Sequence, residues 1–273
     1  MRKLNRIIVY GFLTLVAVVT VYPLLYVFSA AFAPGQSISA LHIIPFGDGI
    51  TFKHFNYLFK QTNYLHWFKN TFIIAVSTSA LTVIIASLSA YIFSRFRFTF
   101  KKPMMLSFLI LQIFPSMLGM IAIYVLLLRL KALDTLWGLI LVYVAGNIPY
   151  NTWLVKGYMD TIPRSLDESA RIDGASHLTI FLKVILPVAS PIIAFLAIVT
   201  FAAPWMDFIF PQMVLRSPEK QTLALGLFGF ITDKKSEFGS FAAGSILVAV
   251  PFIIFFLLAQ KQIIQTFSGS VKE

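Results

Sequence analysis

The residue types able to do chemistry are sparse in this chain, and they gather in one place. Asp167, Glu168, Arg171 and Asp173 stand together at the head of the stretch ESARIDGASHLTIFLKVILP, residues 168–187, which lies between two long apolar segments. No convergent set of catalytic groups accompanies them at one depth. A phosphate-binding loop needs Gly, four residues, then Gly-Lys-Ser/Thr. The nearest imitation runs from Gly239 to Gly244, is followed by Ser245 and has no lysine. His42, His54, His66 and His177 are scattered and read as surface or interfacial residues, without a zinc-type His-Glu pattern. Cysteine is absent, which excludes disulfides and thiolate metal sites. The chemistry left to the polar stretch is mechanical: a charged helix outside a bilayer can take force from a soluble partner and hand it to the spans beside it.

Those spans dominate the composition. Hydrophobic residues make up 58% of the chain and charged ones 12%, against about 25% charge in ordinary soluble domains. The formal charge of +11 does not form a dense basic stripe and so argues against nucleic acid. It sits in short clusters flanking apolar runs, as in membrane proteins. Since about 20 residues cross a bilayer core, six spans are expected, near 7–32, 71–93, 104–128, 136–155, 184–210 and 241–259. The first follows Arg2, Lys3 and Arg6, but it is much longer than the roughly 7–15 apolar residues of a signal peptide, and an uncleaved helix is expected.

Basic residues then set the orientation. The N-terminal cluster, Arg95 to Lys102, Lys156 to Lys183, and Lys261 with Lys272 fall on one side, predicted to be cytoplasmic, with both termini. Lys53, Lys60, Lys69, Arg129, Lys131, Arg216, Lys220, Lys234 and Lys235 fall on the other. Segments 33–67 and 211–240 would face outward. The polar stretch reads locally as a short helix: Pro163 suits a first turn with Thr161 as cap, and Arg171 lies at i,i+4 from Asp167 and i,i+3 from Glu168. Gly174 then permits a sharp turn, and 181–187 leads into the fifth span, with Pro187 near a helix start.

Glu168, Ser169, Ala170, Gly174, Val184, Leu186 and Pro187 fall where permease subunits of bacterial ABC importers carry Glu-Ala-Ala, three residues, Gly, nine residues and Ile-x-Leu-Pro. Ser169 for Ala and Val184 for Ile are the departures. The triplet Asp173-Gly174-Ala175 resembles the carbohydrate-uptake branch. Ala90-Tyr91, Ser94-Arg95-Phe96, Gln112 to Pro115, Lys156-Gly157-Tyr158, Leu258-Ala259-Gln260 and Gly269 to Lys272 resemble the MalG-type subunit of maltose and maltodextrin importers. The likeness covers most of the chain, least in 33–67.

The resemblance implies an all-α type-1 ABC importer fold of six transmembrane helices in a bacterial cell membrane. Residues 1–67 would form the first helix and an outward loop, 68–262 the permease core with a coupling helix near 161–176, and 263–273 a cytoplasmic tail. Coupling would fall to Glu168, Ser169, Ala170, Asp173, Gly174, Ala175, Leu186 and Pro187, with Glu168 anchored in a cleft of a separate ATPase. The implied partners are a second permease in a heterodimer, two cytoplasmic ATPase subunits, an extracellular sugar-binding protein and membrane lipid. ATP and Mg would bind the ATPase, with no cofactor on this chain. The second permease supplies most of the sugar site in that family, so no sugar ligands are assigned among Gln112, Tyr124, Tyr143, Asn147, Tyr150, Trp205 and Asp207. Residues 228–239 would touch the binding protein, and 268–273 would reach between the ATPases. The alternatives are an ATP-independent transporter or channel, which needs no docking helix, and an ABC permease for another sugar or polyol.

Overall fold

The computed structural model describes residues 2–37, 44–113, 115–232 and 237–268. His42, Lys234, Lys235, Lys272 and tail residues 269–273 lie outside them, as does part of the 228–239 loop. Among the described residues, regular structure is entirely helical. The elements are α1 (Arg2–Phe32), α2 (Lys53–Gln61), α3 (Tyr64–Arg95), α4 (Lys101–Ile113), α5 (Ser116–Arg129), α6 (Leu136–Thr161) and α7 (Ser165–Ile172). There follow α8 (His177–Ile180), a π-helical turn (Phe181–Ile185), α9 (Leu186–Val188), α10 (Ser190–Met206), α11 (Ile209–Val214), α12 (Leu223–Thr232) and α13 (Phe238–Ser268).

Ile8–Phe32, Tyr64–Arg95 and Phe238–Phe255 are each long and apolar enough to cross a membrane. Two bent pairs, α4 with α5 and His177–Val188 with Ser190–Met206, raise the number to five if each is one span. The remaining expected segment, 136–155, lies within α6, whose 26 residues reach about 39 Å at helical rise. It is interrupted by Gly138, Asn147, Pro149, Asn151 and Thr152, which lowers its apolar character. The fifth expected segment, 184–210, departs from a straight helix. An 81° bend separates His177–Val188 from Ser190–Met206, and it falls at Ala189, between Pro187 and Pro191.

By contact the chain divides into two compact units, Met1–Leu65 with Leu225–Pro251, and His66–Ala224 with Phe252–Glu273. In the first, residues 8–25 of α1 are exposed throughout, as suits a helix whose surroundings are lipid or another subunit, and only its end at Ser29, Ala30 and Ala31 is buried. His54, expected at the surface, is instead buried. Its Nε2 meets the carbonyls of Ala33 at 3.0 Å and Gly35 at 3.1 Å, and Ser240 Oγ lies 3.4 Å from Nδ1. Burial pushes its pKa down, which keeps the ring neutral and able to donate one proton to those carbonyls. The imitation of a phosphate loop is helical: a Cβ on Gly239 would lie 2.3 Å from His54 Nε2, so the glycine exists for close approach.

The second unit holds α3 to α11. Its core gathers Ala86, Ala90 and Tyr91 of α3, Val155 and Met159 of α6, and Ile180, Phe181, Ile185, Ala189, Ile192 and Leu196 from the π turn and its flanks. Complete burial of Ile180 and Ile185 contributes roughly 1.5–3 kcal/mol each and fastens the segment after the polar helix. A second apolar group is aromatic: Trp205 lies 5.4 Å from Phe68 and 5.6 Å from Phe252, centroid to centroid.

Candidate functional site

The polar helix predicted from Asp167, Glu168 and Arg171 is present as α7. Its acidic residues lie in the first turn and Arg171 in the last, the arrangement favoured by the helix dipole. Its start is one turn of chain later than expected. Thr161 closes α6, where its Oγ1 donates to Tyr158 O at 2.8 Å, and Arg164 precedes the first turn of α7 with no side-chain cap. Its end is a Schellman cap. Gly174 has φ +82°, its N–H donates to Arg171 O at 2.9 Å, and the Ala175 N–H donates to Ala170 O at 2.9 Å. Ser176 then caps α8 by accepting from the Thr179 N–H at 3.3 Å.

This geometry sorts the signature residues into two faces. Ala170, Ala175 and Leu186 pack against the core of the second unit. Glu168, Ser169, Asp173 and Gly174 are exposed, as is Pro187. Ile172, a large apolar side chain, is 87% exposed beside them, so the outer face of α7 offers an apolar knob ringed by charge.

Asp167 belongs to neither set. It is buried, and its Oδ2 lies 2.9 Å from Arg95 Nε, with both side chains no more than 5% exposed. The contact is an ion pair without hydrogen-bond alignment. The aligned bonds of Arg95 go elsewhere: Nη1 donates to Met159 O at 3.1 Å and Nη2 to Ile162 O at 3.0 Å. These are carbonyls at the C-terminal end of α6, where Met159 O also accepts from the Ile162 N–H at 3.2 Å. Ser94 adds to the clasp by donating to Asp160 Oδ1 at 2.7 Å and accepting from Arg164 Nη2 at its carbonyl at 3.2 Å. Removing one member of such a buried pair costs about 3–5 kcal/mol. The i,i+4 spacing suggested Arg171 as the partner of Asp167. The partner found is 72 residues distant in sequence, and no local pattern announces it.

A cavity of about 460 Å³ in the second unit brings together Tyr143, Asn147 and Asp207 in a mostly apolar wall. Asp207 accepts from Tyr143 Oη at 2.8 Å and from the Phe210 N–H at 3.2 Å, so its acceptors are engaged by the chain itself. The other polar and aromatic candidates are elsewhere. Trp205 is buried in the aromatic group, Tyr124 accepts from Arg216 Nη2 at 2.6 Å, and Tyr150 and Gln112 are exposed. Asp134 holds the loop after α11. It accepts from the Arg216 N–H at 2.9 Å, the Ser217 N–H at 3.0 Å, Ser217 Oγ at 2.5 Å and Lys220 Nζ at 3.3 Å. Burial alone would raise its pKa, but those bonds outweigh it and hold the carboxyl well below the usual range. Among the described residues no group of His, Cys, Asp and Glu is arranged to hold a metal.

Residues 82–263 match the family described as "Binding-protein-dependent transport system inner membrane component". The chain is 45% identical to the maltodextrin transport system permease protein MdxG of Bacillus subtilis (strain 168), over 96% of this chain and 94% of that one. It is 40% identical to the galactooligosaccharides transport system permease protein GanQ of the same organism, over the same shares. It is also 40% identical to the maltodextrin permease MalD of Streptococcus pneumoniae (strain ATCC BAA-255 / R6), again over 96% and 94%. In fold it matches the crystal structure of a bacterial ABC transporter involved in import of the acidic polysaccharide alginate, with a TM-score of 0.82 at 23% identity over 95% of this chain and 96% of that chain. These relatives are non-catalytic membrane subunits, and ATP hydrolysis resides in a separate ATPase. The chain belongs to the family of binding-protein-dependent transport system inner membrane components, in its MalG-type carbohydrate-permease branch.

Proposed function

We propose that this protein is one of two different permease subunits of an ATP-driven importer for oligosaccharides of maltodextrin kind. It spans a bacterial cell membrane six times with both termini in the cytoplasm. The helix α7 is its coupling helix, seated in a cleft on one of two ATPase subunits, which bind ATP and Mg. Glu168, Ser169 and Asp173 meet the ATPase; Gly174 makes the turn; Ala170, Ala175, Leu186 and Pro187 carry the motion back to the spans. Outward, the chain receives sugar from an extracellular binding protein. The domain division at 1–67, 68–262 and 263–273 belongs to the same reading.

The observation that carries it is the two-faced sorting of α7. A helix of eight residues with Ile172 87% exposed leaves apolar area uncovered beside Glu168, which suits a protein partner better than water. An ATP-driven switch also needs contacts that differ between its states, and an exposed face on a well-anchored helix can supply them. The maltodextrin assignment follows the 45% identical relative; the galactooligosaccharide relative at 40% identity supports the oligosaccharide class.

The test is uptake of labelled maltotriose by the reconstituted importer carrying Glu168→Lys. The variant is expected in the membrane at normal level, with ATPase attachment and ATP-driven uptake lost. Normal uptake by the inserted variant contradicts the reading. Uptake of a galactosyl oligosaccharide in place of maltotriose would change the substrate and leave the machinery intact.

A further inference from the structure

We infer that Arg95 is the positioning residue of the coupling step: its guanidinium makes α7 a rigid outgrowth of α3 and α6. This rests on the reading of α7 as the docking helix.

One side chain touches three elements. Arg95 is the last residue of α3. Its two Nη atoms take the carbonyls of Met159 and Ile162 at the end of α6, while its Nε faces Asp167 in the first turn of α7. The planar guanidinium of arginine can hold two carbonyls in fixed directions through its Nη atoms while its charge stays beside a carboxylate, which the single ammonium of lysine cannot do. Ser94 duplicates the connection through Asp160 and Arg164. A buried ion pair is a poor source of stability compared with apolar packing of the same volume. What it supplies is orientation, because the unaligned carboxylate is costly unless the guanidinium stays beside it.

The two ends of α7 are consequently attached differently. The entry end is clasped by charge to α3 and α6. The exit end passes through the Gly174 turn, α8, the π turn and the 81° bend before α10 begins. Of these, α8 and the π turn are fastened to the core through Ile180, Phe181 and Ile185, and the chain changes direction beyond them at Ala189. Displacement of α7 therefore acts on α3 and α6 directly through the clasp, and reaches α10 by way of the bend at Ala189. On this account the stroke from the ATPase enters the membrane through α3 and α6, and Arg95 sets its direction.

The experiment uses the assembled importer with Arg95→Glu, Asp167→Arg and the double exchange, beside Glu168→Lys. Three readouts are taken: ATPase co-purification, sugar-stimulated ATP hydrolysis, and uptake. Both single exchanges are expected to keep the ATPase attached, since the outer face of α7 is untouched. Uptake per ATP hydrolysed should fall on the order of tenfold to a hundredfold, the scale of a misplaced functional group. The double exchange should restore part of it, because a carboxylate at position 95 re-forms the ion pair but cannot donate to the Met159 and Ile162 carbonyls. Arg95→Lys and Asp167→Asn serve if charge reversal removes the protein from the membrane; they are expected to lose coupling more than attachment. Wild-type coupling in Arg95→Lys and Asp167→Asn, or attachment lost with no rescue by the double exchange, overturns the inference. If Glu168→Lys abolishes attachment while every Arg95 and Asp167 variant couples normally, only the inference fails; if Glu168→Lys transports normally, the docking reading fails with it.

Discussion

Replacing Gly174 separates backbone geometry from contact at the coupling helix. Its φ is +82°, and a Cβ built there meets nothing within 4 Å in this chain. Any effect of a small side chain on the isolated subunit is therefore conformational. An alanine in the left-handed region costs roughly 1–2 kcal/mol, and about 0.4–1 kcal/mol is returned by the restricted unfolded chain. The net for Gly174→Ala is about 1 kcal/mol, or roughly a fivefold drop in the equilibrium constant for forming the cap. Gly174→Val should lose more, because β-branched residues are outliers at positive φ, and Gly174→Asn less, because asparagine tolerates it. Uptake measured at matched membrane levels should rank Gly, Asn, Ala, Val. A valine variant equal to wild type would refute the reasoning. Equal and complete loss in all three would refute it differently, by showing that the side chain collides with the ATPase.

The remaining predictions concern the rest of the chain. Asp134 has a folded-state pKa depressed below its unfolded value, so its stabilising effect is present above about pH 4 and is lost as pH falls through the depressed value. Fluorescence of Trp67, whose Nε1 donates to Pro218 O at 3.3 Å in the same loop, should report loosening only in strong acid, and Asp134→Asn should loosen the loop at neutral pH. Gly239→Ala places a methyl against a buried ring held by two carbonyls, and overpacking of this kind costs about 1–3 kcal/mol. A lowered melting temperature in detergent checks it.

Much of this architecture was legible in the sequence because membrane spans announce themselves by length and hydropathy, and α7 by being polar between them. Gly174 was legible too, since a glycine following a short charged helix predicts its cap. Three features were not. Arg95 and Asp167, 72 residues apart in sequence, meet only in the folded chain, and the spacing of Asp167 to Arg171 offered a local alternative. Pro187 and Pro191 permit a kink in the fifth span, but neither its place at Ala189 nor the π turn before it, which has no composition of its own, was announced. His54 looked like a surface residue because its neighbours Lys53 and Asn56 are polar, while its burial depends on the carbonyls of Ala33 and Gly35 and on Gly239 far along the chain.

The central claim is that α7 faces the cytoplasm and is covered by an ATPase. The chain contains no cysteine, so Ser169→Cys introduces a single thiol on the exposed face of α7 without further engineering. A membrane-impermeant maleimide should leave that thiol unlabelled in intact cells, label it in inside-out vesicles stripped of ATPase, and label it poorly once the ATPase is restored. Labelling from outside intact cells, or equal labelling with and without the ATPase, would contradict the account.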